Sequence, residues 1–283
     1  MNYIAQAMKI LSTDIGISAL RKRWAEHVAR QDTVPEAVNK YGLDSRIISY
    51  TNNESVIAEQ YKVLRTNLYA LSPDKPIKTI VITSAQPKDG KTITSCNLAA
   101  TLSFDKEKKI ILIDADLRRP SVHAMFGLSR KPGLSDILSG NVDIKSFTKK
   151  PAINNLYVIP SGTINNNPSD IFITTGIKMI IEDLRKDFEY IIFDTPPVLT
   201  VTDASILGAI CDCVILIVKA GVTQQSSIEE AFNMLQGAQA RPKACVLVNT
   251  HFLLDAYSYY TKYKYSSYGY HSAEKGAKAV KKS

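Results

Sequence analysis

The stretch TIVITSAQPKDGKT, residues 79–92, decides how the rest of the chain is read. TIVIT (79–83) reads as a buried strand, because β-branched side chains pack well on a pleated surface. SAQPKDGKT then runs straight into KTITSCNLAATLSF (91–104), which reads as a helix. A strand, a short loop and a helix with Gly90-Lys91-Thr92 at the junction form the layout of a Walker A loop. In such a loop backbone N–H groups and the helix N-terminus cradle phosphates, the lysine reaches the β and γ oxygens, and the threonine hydroxyl ligates Mg²⁺. The pattern GxxxxGK[ST] is imperfect here. Ala85 replaces its first glycine, and Lys88 stands where many such loops have another. Gln86, Pro87, Lys88, Asp89, Gly90, Lys91, Thr92 and Ile93 are the expected nucleotide-binding residues.

Downstream the sequence alternates. IILID (110–114), LYVIP (156–160), YIIFD (190–194), CVILIVKA (213–220) and ACVLVNT (244–250) read as strands. LSDIL (134–138), DIFITTGIKMIIEDLRKDF (170–188), ASILGAI (204–210) and SSIEEAFNMLQGA (226–238) read as helices between them. Continuous apolar strands separated by helices predict an α/β fold: a doubly wound, mostly parallel sheet covered on both faces. In such sheets the ligand lies beyond the carboxyl ends of the strands.

Three acids stand at those ends. Asp114 and Asp116 close ILIDADLRRP, two residues apart and so on one side of an extended chain. Asp194 closes YIIFDTPP as a Walker B aspartate would. Three carboxylates and Thr92 are expected to meet one metal and one triphosphate, and carboxylates together with phosphates are what Mg²⁺ selects.

The flanks differ from this core. In NNESVIAEQYKVLRTNLYAL, residues 52–71, the residues Ile57, Tyr61, Leu64, Leu68 and Leu71 form one apolar stripe, with Asn53 or Ser55 as the cap and Pro73 and Pro76 as the stop. Residues 1–50 read as an extension with two short amphipathic helices and linker, and no chemistry attaches to them. Residues 51–254 read as the globular domain, and 255–283 as a basic tail in which six lysines against Asp255 and Glu274 leave a charge of +4. That tail contains DAYSYYTKYKYSSYGY, with Tyr257, Tyr259, Tyr260, Tyr263, Tyr265, Tyr268 and Tyr270, half of the chain's 14 tyrosines. No stretch reaches the ~18 apolar residues of a membrane helix. The opening residues lack the basic start and apolar run of a signal peptide. Cys96, Cys211, Cys213 and Cys245 match no zinc or CxxC spacing and read as reduced thiols.

SAQPKDGKT, ILIDADLRRP and YIIFDTPP, in this order, resemble the P-loop ATPases of the MinD/ParA group. Within it, they resemble the bacterial protein-tyrosine kinases of capsule and exopolysaccharide synthesis, whose Walker A′ motif DADLRRP is similar to. The resemblance covers roughly residues 46–270. It implies an ATP- and Mg²⁺-dependent autokinase whose tyrosine-rich tail is phosphorylated by a neighbouring subunit. Lys91, Asp114, Asp116 and Asp194 would then be catalytic, with Thr92, Asp114 and Asp194 around the metal and Asp116 orienting or deprotonating the tyrosine. The helix at 54–71 resembles the oligomerisation helix of those kinases. Its Glu-x-x-Arg-x-x-Arg signature reads Glu59, Lys62, Arg65 here, and Lys62 loses the bidentate fork of arginine.

The implied partners are other copies of the chain in a ring, a transmembrane activator of polysaccharide export and a phosphotyrosine phosphatase, with no specific nucleic acid. The implied location is cytoplasmic, at the inner membrane face through that activator. The rival expectation is a partitioning or positioning ATPase without kinase activity, which the net charge of +8 would suit as a non-specific DNA binder. Gln86, where those ATPases carry a lysine, and the tyrosine tail count against it. A GTPase is disfavoured because VNTHFLLD replaces the NKxD that reads guanine.

Overall fold

The computed structural model describes residues 42–71, 75–140, 148–163, 172 and 175–250. Six strands, β1 (Thr79–Ser84), β2 (Ile110–Asp114), β3 (Leu156–Ile159), β4 (Tyr190–Asp194), β5 (Cys213–Lys219) and β6 (Pro242–Val248), make one sheet in the order β3-β2-β4-β1-β5-β6. Every pairing is parallel. The three central strands β1, β2 and β4 are buried along their whole length, which explains why their sequences carry no polar alternation.

Their alternate side chains feed two cores. Ile80, Ile82, Leu112 and Ile192 pack with α3 (Lys91–Leu102) and α2 (Val56–Ala70) on one face. Val81, Ile113, Ile191 and Phe193 pack on the other with α6 (Thr175–Asp187), α7 (Asp203–Ile210) and α8 (Gln225–Gly237). The short helices α1 (Ile48–Thr51), α4 (Val122–Met125) and α5 (Leu134–Leu138) complete the fold as described. The switch point lies where the chain order reverses beside β1 and β4, and this sets the phosphate loop next to the acidic strand ends. The last strand, β6, is half-exposed throughout, and Pro242 opens it as a sheet edge permits.

Packed structure begins ahead of residue 51. Leu43 and Ile47 are fully buried, and the Asp44 amide donates to the Met125 carbonyl at 2.9 Å. Asn97 of α3 fastens this segment: its Oδ1 accepts from the Ser49 amide, and its Nδ2 donates to the Arg46 and Ile93 carbonyls, each at 2.9 Å. At α2, Ser55 is the cap, accepting from the Ala58 amide. The predicted stripe is only partly inward. Leu68 is buried and Leu64 and Leu71 pack against the core, but Ile57 is 39% exposed and shares an outer apolar face with Val56 and Val63. No helix among the described residues is long and apolar enough to cross a membrane.

At the opposite end from the loop, Asp212 ties β5 to β1. Its Oδ2 accepts from the Lys78 and Thr79 amides, the Thr79 hydroxyl and the Arg185 guanidinium at 2.8–3.0 Å. Burial works against the charge there, but those donors outweigh it and hold the carboxyl down to about 2.

Candidate active site

The loop between β1 and α3 turns on two residues with left-handed backbone. Gly90 (φ 97°) caps α3, a conformation that glycine adopts freely, and a Cβ there would lie 3.5 Å from Val248 Cγ2 at the end of β6. The polypeptide thus leaves its last described strand beside the phosphate loop. Lys88 (φ 69°) adopts a left-handed conformation without that freedom. Between them Asp89 turns inward and is fully buried, while Pro87 and Lys88 are exposed. Its carboxylate accepts from the Gln86 amide (3.3 Å), the Gln86 side chain (3.4 Å) and the Thr223 hydroxyl (2.9 Å). Burial raises the Asp89 carboxyl and these donors pull it back.

Lys91, the first residue of α3, reaches across to the segment that follows β2, where its Nζ lies 2.9 Å from Asp116 Oδ2. The other oxygen of Asp116 accepts from the Arg119 amide at 2.9 Å, so the acid is held from both sides. Burial alone would lower the lysine, but Asp194, Asp116 and Asp114 around it raise it above its ordinary value and keep it charged. Thr92 and Ser95, one turn apart, both donate to Asp194, at 2.7 Å to Oδ2 and 3.0 Å to Oδ1. Burial drives Asp194 up to about 6 against the pull of Lys91 and the two hydroxyls.

Asp114 and Asp194 are register partners on adjacent strands. Asp114 Oδ2 accepts from the Val122 amide at 3.1 Å, whereas Oδ1 is buried with no hydrogen-bond partner. Burial first, and the Asp194 charge second, push Asp114 well above the carboxylate range. An orphaned, buried carboxylate oxygen beside a second carboxylate and a threonine hydroxyl fits a hard divalent cation. Among the described residues no three histidine, cysteine or acidic side chains close into a full cage. Mg²⁺ takes few protein ligands and completes its shell from phosphates and water.

Every expected catalytic residue therefore lies at one sheet edge. Lys91 joins Asp116, and Thr92 joins Asp194, which is paired in register with Asp114. Glu59 and Lys62 meet each other on the surface of α2 at 2.9 Å, while Arg65 turns inward to the Thr101 carbonyl at 3.1 Å. The seven tail tyrosines lie outside the described residues. Sequence reasoning missed Ser95, Ser121, Asp203 and Thr223. Ser95 is legible in retrospect, since it follows Thr92 by one helical turn and so shares its face. Ser121 Oγ stands 3.4 Å from Thr92 Oγ1, and Asp203, fully buried, stands 3.8 Å from Arg118 Nε. Those two contacts, like that of Thr223, depend on tertiary structure alone.

Residues 77–246 match the sequence profile of the AAA domain. Tyrosine-protein kinase YwqD of Bacillus subtilis is 33% identical over 232 residues, covering 82% of this chain and 93% of YwqD. The solved kinase domain of Escherichia coli tyrosine kinase ETK superposes with a TM-score of 0.68 at 28% identity, over 71% of this chain and 78% of that one. The septum site-determining protein MinD of Pyrococcus horikoshii, complexed with Mg-ADP, shares the fold alone, with a TM-score of 0.51 at 20% identity over 60% of this chain and 69% of its own.

Proposed function

The chain belongs to the bacterial tyrosine-protein kinases, a P-loop family of the AAA type, and on that premise we propose that it transfers the γ-phosphoryl group of ATP to tyrosines of its own kind. The acceptors on this reading are Tyr257, Tyr259, Tyr260, Tyr263, Tyr265, Tyr268 and Tyr270 of a neighbouring copy, and the reaction regulates capsule or exopolysaccharide synthesis. The observation that carries it is the joint arrangement of Lys91 on Asp116 and of Thr92 on Asp194 at the carboxyl edge of the sheet.

The residues divide the work as follows. The loop amides and the N-terminus of α3 bind phosphate. Lys91 leaves Asp116 for the transferring phosphoryl group, whose loose transition state asks for alignment and charge neutralisation more than for covalent help. That departure frees one oxygen of Asp116, with the other still fixed by the Arg119 amide. The carboxylate then accepts a hydrogen bond, and finally the proton, from the incoming phenol, whose ordinary pKa is ~10. Asp114, Asp194 and Thr92 would hold Mg²⁺, directly or through water. When bound, the metal would supply charge neutralisation to the phosphates. The proposed partners are further copies of the chain joined through α2, a transmembrane activator that brings the protein to the inner membrane face, and a phosphatase that resets it.

Incubation of the full chain with ATP and Mg²⁺, followed by mass-spectrometric mapping of phosphotyrosine, tests this. Phosphates confined to 257–270, and absent in Lys91→Met, are expected. A tail that stays unmodified while ATP is hydrolysed would transfer the site to the positioning ATPases.

A further inference from the structure

We propose that Thr223, in the turn after β5, is a positioning residue that holds the phosphate loop in its binding conformation through Asp89. The inference rests on the reading of that loop as nucleotide-binding and names a residue that fixes its shape.

The loop needs an outside support because it is short of glycine. Lys88 occupies a left-handed backbone conformation (φ 69°) that disfavours a side chain, and such a conformation persists only where the surroundings over-determine it. Asp89 is the inward anchor next to it. One of its oxygens takes the Gln86 amide, and the other takes the Gln86 side chain and the Thr223 hydroxyl. The 2.9 Å bond from Thr223 is the shortest of the three, and it comes from 134 residues away.

Thr223 is itself fixed. Its hydroxyl oxygen accepts from the Lys219 amide at 3.0 Å, and its own amide donates to the Lys219 carbonyl at 2.9 Å. The hydroxyl proton is thereby aimed at Asp89 from the end of β5, which pairs with β1 along Ile80–Ser84. The paired strands β1 and β5 thus grip the loop from inside the fold, and the exposed side of the loop is left to the phosphates. Removal of the hydroxyl leaves a buried carboxylate oxygen with only the longer bond from Gln86, a loss that buried acceptors tolerate poorly.

The test compares the full chain with Thr223→Val, which keeps the shape, and Thr223→Ser, which keeps the donor. The first readout is hydrogen exchange of the peptide carrying the Gln86 amide, measured without nucleotide. The second is calorimetric binding of Mg·ADP, and the third is the split between KM for ATP and kcat. Thr223→Val is expected to speed exchange of that amide and to weaken Mg·ADP binding, each about tenfold, with KM raised and kcat close to unchanged. Thr223→Ser should return all three readouts to the parent values. Unchanged exchange in Thr223→Val, or a serine variant as impaired as the valine one, overturns the assignment. If the parent chain binds no Mg·ADP, the proposed function falls, and the exchange comparison still decides the role of Thr223.

Discussion

Lys91 and Asp116 form a 2.9 Å ion pair whose side chains are only 13% and 5% exposed. On the proposed mechanism the cation for phosphate and the acid for the phenol thus occupy each other in the resting protein, and the two groups become available together. Lys91→Met should lower autophosphorylation by at least about 100-fold, the scale of losing one electrostatic stabiliser. Asp116→Asn frees the lysine and removes the acceptor. It should leave the dissociation constant for Mg·ADP at or below that of the parent while the transfer rate falls about 100-fold. Paired titrations and initial rates check both, and equal losses in binding and rate for Asp116→Asn would refute the division of roles.

The buried carboxylates give the metal-free protein an unusual acid response. Asp194 is raised from the ordinary range to about 6, and Asp114 is raised as well. A carboxyl that holds its proton more tightly when folded stabilises the fold below its unfolded pKa of ~3.9, and this stabilisation is lost as pH rises through the folded value. Thermal midpoints in EDTA should therefore decline between pH 4 and 6. Asp194→Asn should flatten the decline, and saturating Mg²⁺ should oppose it. A midpoint that rises steadily over that window in EDTA would contradict the assignment.

Asp212 predicts the opposite trend in stronger acid. Its folded value of about 2 lies below the unfolded one, so its stabilisation is complete above pH 4 and disappears as pH falls through 2. Asp212→Ala removes the acceptor of four donors, including the Arg185 guanidinium at 2.8 Å. It should cost about 3 kcal/mol in urea denaturation. Because this network lies at the opposite end of the sheet, nucleotide affinity should stay within about twofold of the parent.

The outer face of α2 presents Val56, Ile57 and Val63 at 65, 39 and 47% exposure. If copies meet there, Val63→Glu should weaken association at least tenfold, a change of about 1.4 kcal/mol, read by light scattering across a dilution series. Phosphorylation should act in the same direction. Each phosphotyrosine adds about −1.5 to −2 charge, so three exceed the tail's +4. Equal masses before and after exhaustive phosphorylation would exclude that effect.

Much of this architecture was legible because the central strands are buried on both faces, so Ile80–Thr83, Ile110–Ile113 and Ile191–Phe193 stand out as unbroken apolar or β-branched runs. The placement of the candidate site at one sheet edge was legible for a related reason. Asp114 and Asp194 end such runs, and Gly90-Lys91-Thr92 follows one directly. Contacts set by tertiary packing were not legible. Asn97 looks like one more polar residue in a helix, yet it fastens Ser49 and Arg46. Asp89 looks like a turn residue on a hydrophilic loop, and only the approach of Thr223 explains why it points inward. The apolar stripe of α2 is spacing alone, and spacing does not say how far the face rolls toward its neighbours, so the 39% exposure of Ile57 was not legible.

Val248 ends β6 next to Gly90, which brings the carboxyl end of the last described strand to the mouth of the phosphate loop. The tail tyrosines begin seven residues after Thr250 in the sequence, so on the proposed reading a copy's own Lys91 is an alternative to a neighbour's. Modification within one copy and modification between copies then differ in kinetic order. Dilution would expose the difference, because transfer within one copy ignores protein concentration and transfer to a neighbour does not.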